Sequence, residues 1–369
     1  MAPTDAERDA FGARMRDALE VIGIDGAVYD PDAFAVTTPH GRAHLAGLWQ
    51  ATRSVSPRDQ ALLEAHWRVD VASVPIPSDA PDDARSHLRV RATPRALHTR
   101  LALEGLLLER PYQPTGRQLG TTTVLEVVYA AVGFRPAAVL PAQLADWGLT
   151  PGASYDEAIA RRLADGAPYV ARGAGWGTMG PASGLAALAL LWSDAAARPA
   201  ARAATGLDLE RPVFVPLRDD TVFAYDPDVP GASDAVAASV ARIVDDAPAD
   251  HRWLGVDGLR PADGSIDVVP LPVPQRVRDQ VRLAHHQLAY RGSGTFGLLE
   301  AAYGGVQGDL QRGERGLRAV PRGLPALLGE AATVVNAAGE EVPFAAVVEA
   351  GGTLVEGLWP PVWLVEAPI

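Results

Sequence analysis

Four arginines, Arg89, Arg91, Arg95 and Arg100, sit in a stretch, residues 85–117, that holds seven Arg and only two Glu. Arg89 and Arg91 alternate with Leu88 and Val90 in HLRVRAT, a period-two pattern that reads as a strand with both guanidinium groups on one face. Planar guanidinium groups grip carboxylates and phosphates in bidentate fashion, so this face is a candidate surface for an anion or an acidic partner. The plainer alternative is a solvated sheet edge, salt-bridged to the acidic 201–270 segment of the same chain. A second candidate is Gly175-Trp176-Gly177-Thr178-Met179-Gly180, which fits G-x-G-x-x-G after a strand and before a helix. Pro181 follows at once, no ribose-binding acid is evident beyond Asp194, and no run of βαβ units surrounds it. A glycine-rich hairpin tip therefore competes with weak cofactor binding at Gly175, Gly177 and Gly180.

The remaining chemistry-bearing residues offer less. His40 and His44 stand four apart and would share a metal only on a helix, yet Pro39-His40-Gly41 reads as a turn. His285 and His286 are adjacent, point about 100° apart on a helix and chelate poorly, so one is expected to pack and the other to be solvated. Asp226, Asp228 and Gly231 begin like a calcium loop, but Pro230 takes a ligand position and the twelfth position lacks Glu. The same Tyr-Asp-Pro-Asp string occurs at residues 29–32, which makes shared turn chemistry the simpler account. Asp219-Asp220 are either paired acids or turn residues between two apolar runs. Gly292-Ser293-Gly294 lacks the spacing of a nucleophile elbow. No metal site and no cofactor are expected.

Composition narrows the classes further. There is no Cys, so disulfides, zinc–thiolate sites, iron–sulfur clusters and thiol nucleophiles are excluded. All 33 basic residues are Arg, which removes the amine required by Schiff-base enzymes, the Walker A loop and conventional kinases. A single Asn, few Ile and abundant Ala, Arg, Gly and Pro suit a GC-rich bacterial genome; selection against amine modification would also leave a chain free of Lys. The net charge of −12 disfavours nonspecific binding to nucleic acid or anionic membranes. The start, MAPTDAERDAF, has neither a basic nor a long apolar region, and no apolar run reaches the ~20 residues of a membrane helix. The expectation is a cytoplasmic protein.

These residues must be positioned by a chain of 369 residues, 48% of them hydrophobic, enough for more than one core. Residues 5–21 read as an amphipathic helix with Phe11, Met15 and Leu19 at i, i+4 and i+8. AVYDPDAFAVTT is a hairpin, with strands near 27–29 and 34–37. HLRVRAT precedes a helix over 95–109, and residues 121–134 hold an apolar strand. SYDEAIARRLADG is a helix with Ser154 and Glu157 as a capping box. Residues 167–173 suggest a strand and 183–197 an apolar helix. RPVFVPLRDDTVFAYDPD is the clearest hairpin, and the helix ASDAVAASVARIVDDA follows with Ser233 as its cap. Charge then reverses, from 13 acids and 6 Arg over 201–270 to 5 acids and 8 Arg over 271–330. A basic helix spans 273–292, and short strands are expected near 333–336, 343–349 and 362–365.

The expected class is α+β: several small, mostly antiparallel sheets and hairpins with packed helices, plus a C-terminal mixed extension. Three regions are expected: a helix-hairpin-helix segment (1–80), an α+β region (81–270) and a basic helix with β extension (271–369). The succession of opening helix, AVYDPDAFAV, RAHLAGLWQATRSVSPRDQALLEAHW, LRVRAT, VLEVVYAAVGF, PAQLADWGLT, DEAIARRLA and FVPLRDDTVFAY resembles the YtpQ-like family of uncharacterised bacterial proteins. The resemblance covers residues 5–270 and implies an α+β fold of several small sheets but no established activity. The expected function is a non-catalytic binding or accessory protein that contacts another protein, for instance in a defence, immunity or other multi-protein system. Two alternatives stand beside it: an acid/base hydrolase using Asp, Glu and His, and an anion- or nucleotide-binding module using the glycine-rich turn and the arginines.

Overall fold

The computed structural model describes residues 5–369 apart from 22–23, 25, 39–40, 54–59, 62, 65–66, 69–84, 100–102, 104–115, 131–136, 140–143, 146, 165–168, 181–184, 248–251, 291–298 and 301–302. The fold is α+β, with five small, mostly antiparallel sheets. Among the described residues no helix is long and apolar enough to cross a membrane.

Helix α1 (Asp5–Val21) buries Phe11, Met15 and Leu19 on one face, as their spacing predicts. They pack on a meander of β1 (Val28–Asp30), β2 (Ala35–Thr38) and β3 (Gly41–His44), closed by α2 (Ala46–Thr52). Gly41, expected in a turn with Pro39 and His40, opens strand β3. His44 is exposed on that strand, and His40 lies outside the described residues.

The second sheet is centred on β6 (Thr123–Tyr129), which pairs along its whole length with β4 (Leu88–Pro94). Strands β5 (Arg117–Leu119) and β7 (Ala137–Ala138) share the other edge of β6. Leu88 and Val90 are buried with Leu125, Val127 and Tyr129 in one core, which puts Arg89 and Arg91 on the opposite face. Helix α3 (Pro151–Ala164) covers this sheet. It starts a turn earlier than the capping box proposes. Thr150 Oγ1 accepts from Ala153 N at 3.2 Å, Pro151 stands at the first helical position, and Ser154 is buried inside the helix.

A six-stranded antiparallel sheet follows, made from β8 (Tyr169–Gly173), β9 (Trp176–Met179), β10 (Val213–Arg218), β11 (Thr221–Tyr225), β12 (Gly258–Ala262) and β13 (Ser265–Val269). Its order is β13-β12-β10-β11-β9-β8. Both faces of the central hairpin are buried, which is why its strands read as apolar runs. Phe214, Val222 and Ala224 face α4 (Leu188–Ser193), while Val213, Val215, Leu217, Phe223 and Tyr225 face α6 (Ala232–Asp246). The apolar stretch 183–197 is not one helix. A 3₁₀ turn at Leu185–Ala187 leads into α4, Asp194 ends it by accepting from Ala196 N, and α5 (Arg198–Thr205) begins beyond. Helix α6 is entered through Gly231, whose φ of 81° only glycine adopts readily, and not through a Ser233 cap.

Helix α7 (Gln275–Tyr290) leads to two four-stranded sheets. One, β14-β17-β21-β20, is built from Val306–Gln307, Ala326–Gly329, Val362–Val365 and Thr353–Leu354. The other, β15-β16-β18-β19, comprises Asp309–Gly313, Gly316–Val320, Thr333–Val335 and Glu341–Pro343. Residues 345–349, expected as a strand, form helix α8 (Ala345–Glu349). The core runs across the boundary expected near residue 270. Leu271, Val273, Val277, Val281 and Ala284 are buried in the same cluster as Val236, Val240 and Trp253. Farther along α7, Ala289 and Tyr290 join a core containing Ala96, Leu103 and Leu358.

Candidate functional site

The arginine strand divides its members among different tasks. Arg91 lies directly across the β4–β6 ladder from Glu126 and donates to its Oε2 from Nη2 at 2.8 Å. Glu126 is 3% exposed inside an otherwise apolar strand. Its other oxygen is 3.0 Å from His98 Nε2, which also lies 2.9 Å from Thr93 Oγ1. A carboxylate only accepts, so the Nε2 proton points at Glu126. Burial pushes the Glu126 carboxyl up, but Arg91 and His98 together outweigh it and hold the group down to about 2. Glu126 is therefore ionised at neutral pH and fixed by two donors. That arrangement suits a structural link between β4, β6 and the helical residues 95–99, and it makes a poor general acid.

Arg89 turns to the carbonyls of Ser86 and Leu88, at 3.0 and 2.9 Å. The acidic 201–270 segment meets this strand through a backbone group: Asp219 accepts from Ala92 N at 2.7 Å. Asp219 thus combines its place in the β10–β11 turn with closing the outer edge of β4. Arg95 donates to Thr121 O and stacks 5.2 Å from the Trp359 ring. Arg100 lies outside the described residues.

The three glycines of the G-x-G-x-x-G stretch belong to the β8–β9 hairpin. Gly175 makes its turn at φ 68°, and Gly180 ends β9 at φ 118°. Gly177 lies in mid-strand where any side chain would run into Tyr169 and the carbonyl of Val170. Each glycine has a packing or turn reason here. The two Tyr-Asp-Pro-Asp turns share their chemistry, since Asp30 accepts from Ala33 N and Asp226 from Asp228 N, both at 3.0 Å.

Two concave places among the described residues bring charged side chains together. The first is a cavity of about 340 Å³ where α7, the 121–122 turn, residues 255–257 and the 359–361 segment meet. Gly255 allows the close approach on one side, because a side chain there would strike Thr122 Oγ1 at 2.5 Å. On the other side Tyr290 donates to Pro360 O and Trp359 N to Thr99 Oγ1, at 2.5 and 2.8 Å. Arg95 packs on this wall through Trp359. Arg278 is locked in place at 2.6 Å from both Asp257 Oδ1 and Leu271 O. Arg282, one turn on, reaches only to 3.8 Å from Glu330 Oε1. Neither histidine of α7 is solvated; His285 and His286 are each 2% exposed. His285 donates from Nε2 to Trp253 O at 2.6 Å, since a carbonyl can only accept.

Burial pushes the His285 imidazole down to about 4, against a smaller upward pull from the Trp253 carbonyl. The unfolded chain takes up this proton near 6.5, where the folded protein does not. Stability should therefore fall as pH drops from 6.5 towards 4, by up to about 1.4 kcal/mol per unit. Urea midpoints measured at pH 7, 5.5 and 4.5 should show this slope, and His285→Gln should flatten it.

The second concave place is a shallow depression of about 540 Å³ at the β15–β16 hairpin tip, lined by Arg312, Arg315 and Arg318 with Glu314 and Glu341. Arg318 is taken up by Glu341 and Gln311, at 3.1 and 3.0 Å. Arg312 and Arg315 are exposed and have no hydrogen-bond or ion-pair partner among the described residues. The sequence carries this feature in Gln-Arg-Gly-Glu-Arg-Gly-Leu-Arg, within the segment where charge reverses. Comparison with family models, curated proteins and solved structures finds no match to this chain.

Proposed function

We propose that the protein works by binding another protein rather than by catalysis, and that the β15–β16 hairpin tip meets an acidic face of that partner. The observation that carries this reading is the cluster of three arginines around one depression on a chain of net charge −12. Two of them, Arg312 and Arg315, have no hydrogen-bond or ion-pair partner among the described residues, so an incoming carboxylate can take both. The state of three titratable groups, two of them buried, supports the binding half of the proposal. Glu126 is held ionised, His285 is held neutral, and Asp257 is engaged by Arg278. General acid–base work calls for a group poised near the working pH. The YtpQ-like succession of segments ends before this hairpin, so the docking role is proposed for this chain on its own residues.

The test is a comparative capture from native-host lysate with wild type and the double variant Arg312→Glu, Arg315→Glu. Both positions are exposed, so thermal stability should stay within about 0.5 kcal/mol. Recovery of the partner should be lost in the variant and weakened for wild type at high salt, because exposed charges are screened over about 8–10 Å. Equal recovery by both proteins at low and high salt would rule the hairpin out as the docking surface.

A further inference from the structure

We propose that the cavity beneath Trp359 binds a free α-amino acid with an apolar side chain. The proposal stands apart from the partner surface at the hairpin and uses none of its residues.

Arg282 and Glu330 face each other at 3.8 Å, close enough to be an ion pair but too far for a hydrogen bond. Neither side chain has another partner among the described residues. Both are about half exposed, at 49% and 43%, so they stand at the mouth of the cavity. The inner charged pair, Arg278 and Asp257, is already closed at 2.6 Å. What remains for a ligand is one positive and one negative group side by side.

A lone anion gains from Arg282 and is repelled by Glu330; a lone cation meets the reverse. A molecule carrying both charges on neighbouring atoms gains from both, with its carboxylate on Arg282 and its ammonium on Glu330. In doing so it gives each protein charge the short hydrogen bond that they do not give one another. Part of the remaining wall is polar, from the 121–122 turn, Gln275 and the two histidines, but Val256, Val281, Leu310 and Pro361, with the Trp359 ring beside them, offer an apolar side for the body of a ligand. The volume, about 340 Å³, lies at the lower end of the roughly 300–1,000 Å³ typical of ligand pockets. That favours a single amino acid over a peptide. A zwitterionic head at the mouth and an apolar side chain within describe leucine or phenylalanine better than a sugar, a nucleotide or a simple carboxylate.

The experiment is isothermal titration of the full chain with L-leucine and L-phenylalanine, alongside 4-methylpentanoate, which lacks the ammonium, and leucinamide, which lacks the carboxylate. Saturable binding of at least one amino acid is expected, with each singly charged analogue at least tenfold weaker. Arg282→Gln and Glu330→Gln should each weaken the amino acid at least tenfold with an unchanged melting temperature. The analogue series uses only wild-type protein, so the proposal remains testable whatever the variants do. Absence of saturable binding to either amino acid at millimolar concentration would overturn it, as would an analogue that binds as tightly as its parent. Arg312→Glu with Arg315→Glu should leave this binding intact, which separates failure here from failure of the partner surface.

Discussion

A chain ended after Val269 should be insoluble or molten rather than a folded core. The truncation removes Leu271, Val273, Val277, Val281 and Ala284 from the cluster around Val236, Val240 and Trp253. Burying the four larger side chains contributes roughly 6–12 kcal/mol, at about 1.5–3 kcal/mol each. A domain's whole stability is about 5–15 kcal/mol. The cut also uncovers Trp253, which is fully buried and whose carbonyl accepts from His285. Limited proteolysis and near-ultraviolet circular dichroism of the 1–269 fragment check this directly. A soluble fragment with protease resistance and aromatic dichroism matching the full chain would show that α7 is dispensable to that core.

The second large effect is expected at Arg91. Arg91→Met leaves Glu126 buried with His98 as its remaining donor among the described residues, and should cost about 3 kcal/mol, the lower end of the range for breaking a buried pair, because Arg91 itself is 30% exposed. The pH dependence should change with it. In wild type the folded carboxyl titrates at about 2 and the unfolded one near 4.5, so its stabilising share is complete above 4.5 and is lost as pH falls towards 2. Without Arg91 the folded value rises, and that share shrinks. Replacing both partners, Arg91→Met with Glu126→Leu, should recover most of the loss. Chemical denaturation of the wild type and these two variants at pH 7 and pH 4 decides the matter. A cost below 1 kcal/mol for Arg91→Met would mean that water or His98 alone satisfies Glu126.

What could be read in advance followed how local the signal was. The hairpin β10–β11 and helices α1, α6 and α7 were legible because each is written in a contiguous run: two apolar stretches around Arg218-Asp219-Asp220, or apolar residues at helical spacing. The alternation of Leu88 and Val90 with Arg89 and Arg91 was legible for the same reason. The partner of Arg91 was not. Glu126 comes 35 residues later, and only the β4–β6 register brings the two together. One signal was available, a lone charge inside the apolar run TVLEVVY, since a strand buried on both faces tolerates a carboxylate only where donors wait for it. One of the two α7 histidines was expected in solvent because a basic helix suggests a solvated side, whereas α7 is covered by several cores and both are buried. The cavity was out of reach altogether, because its walls come from six separate stretches of chain.

That scattering also dictates an order of events during synthesis. Trp359 N reaches Thr99 across 260 residues, and α7 completes a core begun by Val213. At about 5–20 residues per second, the ribosome needs roughly 13–52 s to travel between those two residues. Throughout that interval the residue 95–99 segment has emerged without the C-terminal surface it packs against. The nascent chain is then a client for holding chaperones, and its yield in a foreign host should depend more on their supply than on the stability of the finished fold.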